Sequence, residues 1–320
     1  MTEHEAFRAL AAWVNRQVLG QEALVERLLV ALLADGHLLV EGVPGLAKTR
    51  VVKVLAAGIE GEFQRIQFTP DLLPADLTGT EVFRPDEGRF VFQPGPLFHN
   101  LILADEINRA PAKVQSALLE AMGERQITSG RATYPLDPLF LVMATQNPIE
   151  QEGTYPLPEA QRDRFLLHVR MDYPDRASEL AMLDLVRAEL RHGRRALPEP
   201  PRRLEREIVM AARRQVLDLY LAPELARYLV ELAAASRAPA DPELAALIAY
   251  GASPRGTLAL DLAARAHAWL EGRDYVSPQD IQAVVHDVLR HRLILSYQAE
   301  ADGVGADELI DRLLDQVPLP

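Results

Sequence analysis

The sequence Gly42-Val43-Pro44-Gly45-Leu46-Ala47-Lys48-Thr49, directly after the apolar run Leu38-Leu39-Val40, decides the fold of this 320-residue chain. A short buried strand, a turn with glycine and proline, and a helix that opens at Lys-Thr are the parts of a phosphate-binding loop. The backbone N–H groups of such a turn and the positive end of the helix dipole bind phosphate oxygens. We therefore expect residues 42–50, Arg50 included, to bind a nucleotide. An ordinary strand–turn–helix is the alternative.

The loop also predicts the metal. Lys48 can reach the β- and γ-phosphates of ATP, and the Thr49 hydroxyl can bind Mg²⁺. Position 47 departs from the strict pattern, which has glycine there. Ala47 indicates a backbone with negative φ, because a Cβ at positive φ costs about 1–2 kcal/mol. The expected cofactors are ATP and Mg²⁺.

Two further apolar runs end in polar residues. Residues 101–104 lead into Asp105 and Glu106, and residues 140–145 lead to Asn147. Ligands of open parallel sheets bind beyond the carboxyl ends of the strands, so these side chains should meet Lys48. Asp105 would then hold Mg²⁺ with Thr49, and Glu106 would orient and deprotonate the attacking water. A strand that simply leaves the sheet through an acidic turn is the alternative.

The composition excludes several classes of protein. The chain is 48% hydrophobic and 25% charged, as in globular domains, and its net charge of −12 argues against broad electrostatic binding of nucleic acid. The absence of cysteine excludes disulfides and thiolate metal sites. There is no apolar run of ~18 residues, and residues 1–5 lack the pattern of a signal peptide. We expect a cytoplasmic protein without membrane insertion.

Apolar runs alternate with stretches of helical periodicity over the first part of the chain. This pattern predicts an α/β core, a parallel sheet with helices on both faces. The predicted strands are 38–41, 65–68, 101–104, 139–144 and 165–171. The predicted helices are 5–18, 21–35, 48–57, 112–123 and 175–191.

The rest of the chain predicts a second domain. Residues 187–214 are rich in arginine and contain three prolines, which is typical of a linker between domains. Beyond them the periodicity is helical throughout. We expect a core of residues 1–193 and a smaller all-α domain of residues 194–320. Its predicted helices are 223–237, 241–250, 254–270 and 278–290.

Two stretches interrupt the alternation of strand and helix. Residues 71–96 contain the alternating Arg89-Phe90-Val91-Phe92 between glycine and proline, and residues 126–138 form a similar unit. Both predict hairpins inserted into the core. Insertions of this length usually have a function, so we expect Phe90 and Phe92 to contact a partner protein. Decorative surface hairpins are the alternative.

Residues 41–49, 104–122 and 144–148 together resemble the MoxR family of AAA+ ATPases, in the helix-2-insert clade. The resemblance runs from about Trp13 to the C-terminus. In that family the residue before the loop lysine is often alanine, as Ala47 is here. The resemblance implies a P-loop AAA+ core with a helical lid, whose two hairpin inserts face the pore of a ring.

The resemblance also implies roles for single residues. Asn147 falls on the sensor-1 position, and Arg255 falls on the sensor-2 position at a helix start. Arg164, in the Asp-Arg-Phe triplet, is our choice for the arginine finger, with Arg162 as its rival. The alternative for each of these arginines is a structural role, in an ion pair at the end of a helix or at an interface. Gly20 and Gln21 match the family's adenine-side motif, although the residues themselves equally suit a turn between two helices.

The function implied by the resemblance is chaperone-like ATP hydrolysis. A homo-hexameric ring would remodel, assemble or insert metal into a client protein, often one with a von Willebrand factor A domain. A nucleic-acid motor is an alternative, but the net charge and the single basic residue among Arg89, Phe90, Val91 and Phe92 disfavour it. The second alternative is a nucleotide-gated scaffold, which binds ATP but barely hydrolyses it. The complete set of Lys48, Asp105 and Glu106 disfavours this alternative, because these residues serve hydrolysis.

Overall fold

The computed structural model describes residues 2–43, 46, 48–86, 88–130, 132–148, 153–191 and 199–320, without the side chains of Ala188 and Glu189. Two predictions fall partly or wholly outside the described residues. They are the loop positions Pro44, Gly45 and Ala47, and the domain boundary between residues 193 and 194.

The described residues form strands that closely follow the predicted strands and hairpins, together with one short pair, Ile248–Tyr250 and Ile294–Leu295, that the sequence did not indicate. The strands are β1 (Leu38–Gly42), β2 (Phe63–Gln67), β3 (Gly79–Arg84), β4 (Arg89–Pro94), β5 (Leu101–Asp105), β6 (Gln126–Ser129), β7 (Ala132–Pro135), β8 (Leu141–Gln146), β9 (Leu167–Met171), β10 (Ile248–Tyr250) and β11 (Ile294–Leu295).

The α-helices fall into a group before residue 192 and a group after residue 205. The first group is α1 (Glu3–Gln17), α2 (Glu22–Leu33), α3 (Lys48–Gly58), α4 (Pro74–Thr78), α5 (Ala112–Glu124), α6 (Glu159–Arg162) and α7 (Arg176–Arg191). The second group is α8 (Arg206–Asp218), α9 (Pro223–Arg237), α10 (Pro242–Leu247), α11 (Pro254–Leu270), α12 (Pro278–Leu289), α13 (Tyr297–Ala301) and α14 (Ala306–Gln316).

The central sheet of the described chain has five parallel strands in the order β2-β5-β8-β1-β9. Side chains of β1 alternate between two apolar layers: Leu38 and Val40 pack in one, and Leu39 packs in the other with Ile102. A sheet that buries both faces needs helices on both sides. The predicted α/β fold class is therefore confirmed. β1, β5 and β8 are neighbours, so their carboxyl ends meet at one edge.

The C-terminal helices form a second layer of structure, which we call the lid (residues 206–320). Its helix α11 packs against α9 and α12 and also contacts α2 of the core. Serine, proline and acid residues start these helices: Ser277 and Asp280 form a capping box at α12. The all-α character predicted for this part of the chain is confirmed, apart from one short pair of strands.

Two predictions in the lid need correction. The helix predicted over 241–250 ends at Leu247, because Ile248–Tyr250 pairs with Ile294–Leu295 as an antiparallel ladder. The linker predicted over 187–214 includes the start of α8 at Arg206. There the largely buried Arg213 side chain donates from Nε to Leu32 O at 2.9 Å, so it attaches α8 to the core.

Both predicted hairpins are present, as β3–β4 and β6–β7. Their aromatic residues differ in exposure. Phe83 and Phe90 lie opposite each other near the first tip and are 49% and 65% exposed. Phe92 instead stacks on Tyr134 of the second hairpin, with ring centroids 4.1 Å apart. Phe92 therefore joins the two inserts, and the exposed pair is Phe83 with Phe90.

Candidate nucleotide site

The phosphate loop lies where β1 ends and α3 begins. β1 ends at Gly42, and Lys48 is the first residue of α3. Lys48 Nζ donates to Gly42 O at 2.6 Å and lies 3.5 Å from Gln146 O at the end of β8. Burial lowers the pKa of Lys48, and the carboxylates of Asp105 and Glu106 oppose that shift. The ammonium group thus lies among backbone carbonyls and acidic side chains.

The residues around Lys48 shape the loop. Gly42 packs tightly on β9, since a Cβ added to it would lie 2.9 Å from Met171 Cβ. Leu46 is buried, whereas Val43 and Thr49 are half-buried. Arg50 Nε donates to Gln17 O at 2.8 Å, which fixes the start of α3 to the end of α1. The binding roles of all these residues stay predictions.

Asp105 is held from two sides at the end of β5. Its Oδ1 accepts the Thr145 hydroxyl at 2.7 Å, and its Oδ2 accepts Arg65 Nη2 at 2.5 Å. Thr145 is 1% exposed and lies near the end of the adjacent strand β8. A charge-assisted pair and a buried hydroxyl together fix the orientation of this carboxylate.

Glu106 adopts a left-handed backbone, with φ 58° and ψ 51°. This region is costly for a residue with a Cβ, and such strain is concentrated at functional sites. The Glu106 N–H donates to Thr145 Oγ1 at 2.9 Å, and Gln67 Nε2 donates to Glu106 Oε2 at 2.8 Å. Arg109 Nε lies 3.2 Å from the same Oε2. Gln67 and Arg109 therefore orient the Glu106 carboxylate, and Thr145 holds its backbone.

Sequence reasoning missed Arg65, Gln67 and Thr145. Arg65 and Gln67 are two residues apart on β2 and hence on one face of it, and Gln67 is in register with Asp105. Arg65 Nη2 also donates to Gln67 Oε1 at 3.1 Å, so β2 carries a continuous polar chain beside both carboxylates. The available signal was this alternation of polar residues in a strand next to the one that ends in Asp-Glu.

The other predicted residues lie at the same end of the core or beside it. Asn147 is buried directly after β8. Gln21 is buried at the start of α2, and Gly20 has φ +72°. A Cβ on Gly20 would lie 2.8 Å from Ser178 Cβ, so glycine there permits both the left-handed turn and the approach of α7.

The donor set fits a nucleotide with Mg²⁺. A helix of 11 residues points its N-terminus, with Lys48 and Thr49, at the edge of the sheet. Oxygen ligands such as the Thr49 hydroxyl and the Asp105 carboxylate are those that Mg²⁺ prefers. Lys48 Nζ is held by carbonyl oxygens that a phosphate can replace. These observations agree with the predicted cofactors.

Comparison with known proteins gives the same result. A family model described as ATPase family associated with various cellular activities (AAA) matches residues 37–167, and one described as AAA lid domain matches residues 242–313. Chaperone MoxR1 of Mycobacterium tuberculosis is 46% identical over 310 residues, which is 96% of this chain and 80% of that protein. The chain belongs to the MoxR family of AAA+ ATPases.

Two further proteins extend this similarity. Protein MoxR of Paracoccus denitrificans is 36% identical over an alignment of 338 positions, gaps included, which covers 99% of this MoxR-family chain and 97% of the relative. The solved structure of a Cytophaga hutchinsonii protein, assigned as an ATPase by inference, superposes with a TM-score of 0.89. It is 44% identical, and the match covers 99% of this chain and 96% of the other. The predicted family and fold are confirmed.

The three predicted arginines of this MoxR-family chain lie around residues 159–165 and at the start of α11. Arg164 Nη1 donates to Leu119 O at 2.6 Å. Arg162 Nη2 lies 3.9 Å from Glu159 Oε1. Arg162 Nε is buried and has no hydrogen-bond partner among the described residues. Arg255 is exposed in the first turn of α11. The choice between Arg162 and Arg164 as finger stays open.

None of the helices in the described part of the chain has the length and apolar character needed to span a bilayer.

Proposed function

We propose that this MoxR-family protein hydrolyses ATP with Mg²⁺ in a homo-hexameric ring and uses the energy to remodel a client protein. The observation that carries the proposal is the polar network at the edge of the sheet. Thr145 connects Asp105 to the backbone of Glu106, while Lys48 lies beside both carboxylates. Such an arrangement suits phosphoryl transfer, which depends on positioning and on electrostatic stabilisation.

Each residue has a defined role in this proposal. Lys48 and the loop N–H groups bind the phosphates, and Thr49 and Asp105 hold Mg²⁺, which neutralises charge on the transferred group. Glu106 orients the attacking water and accepts its proton, and Asn147 helps to position that water. Arg255 contacts the nucleotide of its own subunit. Arg164, or its rival Arg162, reaches the site of the neighbouring subunit.

The client is the least defined part of the proposal. A partner with a von Willebrand factor A domain, and assembly or metal insertion as the outcome, follow from the family resemblance. The exposed Phe83 and Phe90 at the first hairpin tip support contact with a protein. Affinity capture with the Glu106→Gln variant held in ATP would identify the client.

Phosphate release and nucleotide binding test the chemistry. Lys48→Ala should abolish binding of mant-ATP, because it removes the charge-assisted contact to the phosphates. Glu106→Gln should bind mant-ATP·Mg²⁺ and release almost no phosphate. Hydrolysis by Glu106→Gln at the wild-type rate would disprove the assignment of the base. Turnover stimulated by DNA would favour the nucleic-acid motor, and no turnover by the wild type would favour the scaffold.

Mixing two inactive variants tests the ring. Arg164→Ala should bind ATP yet hydrolyse it about 10³–10⁵ times more slowly, the usual contribution of an arginine finger. Lys48→Ala has an inactive site but an intact finger. If fingers act between subunits, a mixture of the two variants that exchanges subunits regains activity. A mixture with Arg162→Ala in place of Arg164→Ala decides between the two arginines.

A further inference from the structure

Asp163 lies between the two candidate fingers in the sequence, and its carboxylate accepts hydrogen bonds from two residues of the lid. Its Oδ1 accepts Arg292 Nε at 2.8 Å, and its Oδ2 accepts the Ser253 hydroxyl at 2.9 Å. Ser253 is the N-cap of α11, the helix whose first turn carries Arg255. One carboxylate thus joins the arginine segment (residues 159–165) to the start of α11.

The Arg292 half of this connection is buried and extensively hydrogen-bonded. The Arg292 side chain is 3% exposed and donates to Phe165 O at 2.7 Å and Leu166 O at 3.1 Å, as well as to Val288 O in α12. Burial lowers the pKa of Arg292 to about 10, against the opposing effect of Asp163. A buried guanidinium that loses its carboxylate is strongly destabilised. Arg292 therefore holds residues 163–166 firmly against the lid.

The two ends of this connection serve different sites in the proposed ring. Arg255 is proposed to contact the nucleotide of its own subunit, and Arg164 or Arg162 that of the next subunit. A rigid link between them means that a rotation of the lid also moves the arginine segment. Motions of this kind occur as rigid-body domain movements about packed interfaces.

We propose that Asp163 is a positioning residue: through Ser253 and Arg292 it fixes the arginine segment to the lid, so that the lid of each subunit sets how its finger meets the neighbouring site. This inference rests on the proposed ring ATPase. It assigns a role to a residue that touches neither nucleotide nor reacting atoms.

The test uses Asp163→Asn, which keeps the size of the side chain and removes its charge. Its KM for ATP should stay within about twofold of the wild type, and kcat should fall about tenfold or more. Mixed with Lys48→Ala under subunit exchange, the variant should regain activity, because its intact sites then meet normally held fingers. A loss caused by disorder of the variant's own site would not be rescued in this way.

Asp287→Asn is the matched control. Asp287 also joins the lid to the core, through Arg27 Nε at 2.7 Å, and its side chain is 14% exposed against 17% for Asp163. It belongs to α12 and pairs with α2 rather than with the arginine segment. Asp287→Asn should lower the melting temperature, and any loss of turnover should not be rescued by Lys48→Ala.

The possible outcomes separate the two proposals. Rescue of Arg164→Ala or Arg162→Ala but not of Asp163→Asn would overturn the role of Asp163 and leave the ring intact. Rescue of none of the three would overturn the trans arrangement, and the role of Asp163 with it.

A second variant covers the case in which Asp163→Asn does not fold. Ser253→Ala leaves the buried Arg292 pair in place and should lower kcat about two- to fivefold, with KM unchanged and with the same rescue. Wild-type kcat in Ser253→Ala would overturn the link to α11.

Discussion

The Arg65 guanidinium donates two hydrogen bonds to Oδ2 of Asp105, at 3.1 Å from Nε and 2.5 Å from Nη2. Asp105 is also the carboxylate proposed to hold Mg²⁺, so Arg65 and the metal compete for one group. Arg65→Gln should therefore lower the Mg²⁺ concentration that gives half-maximal binding of mant-ATP. Since the pair is partly exposed, the change should be at most about fivefold, the equivalent of about 1 kcal/mol.

Arg109→Gln is the control for this measurement. Arg109 is 41% exposed against 44% for Arg65, but it pairs with Glu106 instead of Asp105. Its loss should leave the Mg²⁺ midpoint unchanged. An identical midpoint for Arg65→Gln and the wild type would show that Arg65 does not compete with the metal.

Thr145 is the second testable element of the site. Thr145→Val keeps the shape of the side chain but leaves Asp105 Oδ1 and the Glu106 N–H without this partner. The free energy of unfolding should fall by about 1–3 kcal/mol, the cost of unsatisfied buried polar groups, and kcat should fall with it. Thr133→Val, in the exposed Thr128–Thr133 pair, should change neither. Denaturant unfolding and phosphate release measure the two effects.

The two hairpins predict a contrast between neighbouring aromatic residues. Phe92→Ala should destabilise the protein, because the stack with Tyr134 contributes about 0.5–1.5 kcal/mol beyond buried area. A double-mutant cycle of Phe92→Ala with Tyr134→Ala gives that coupling directly. The pair Phe83→Ala and Phe90→Ala should leave the melting temperature unchanged and reduce client capture. A large loss of stability in the second pair would mean that those rings are structural.

The lid should respond to alkaline pH through His267. Burial lowers the pKa of His267, but hydrogen bonds to Asp280 and Glu26 outweigh it and raise the pKa to about 9 from 6.5. A raised folded-state pKa stabilises the fold fully below about pH 6.5, and that stability is lost as pH rises through about 9.

Thermal melts between pH 6 and 10 check this expectation. A rise in pKa from 6.5 to about 9 corresponds to at most about 3.5 kcal/mol, and partial solvent screening lowers the loss expected from His267 to about 2–3 kcal/mol. His267→Gln should show a flatter profile. His286→Gln removes an exposed pair with Asp311 and should follow the wild type. Parallel curves for His267→Gln and the wild type would contradict the assignment.

The sequence predicted the parts of the site that lie on one continuous motif. Lys48 and Thr49 follow from a loop whose chemistry requires them at that spacing, and Asp105 and Glu106 follow from an apolar strand that ends in acids. The parallel sheet followed from alternating periodicity. These features depend on neighbours in the chain, so a single sequence contains them.

Contacts between distant segments could not be predicted in the same way. Arg65 and Gln67 were placed in a strand, but their position beside Asp105 depends on the register of β2 against β5. The Asp163 connection joins residues 90 and 129 positions apart. Ile248–Tyr250 left its predicted helix because a strand more than 40 residues later pairs with it. Tertiary pairing decided each of these, and no local pattern encodes it.

The ring stack between Phe92 and Tyr134 has a mechanical consequence. The stack holds together two hairpins that are inserted at different points of the chain. A force applied to the tip of the β3–β4 hairpin therefore also acts on β7. From β7 the chain continues through residues 136–140 into β8, whose end carries Thr145 and leads to Asn147. A client that resists movement would therefore load the strand that positions the hydrolytic site, and the rate of ATP turnover would depend on the force that the client exerts.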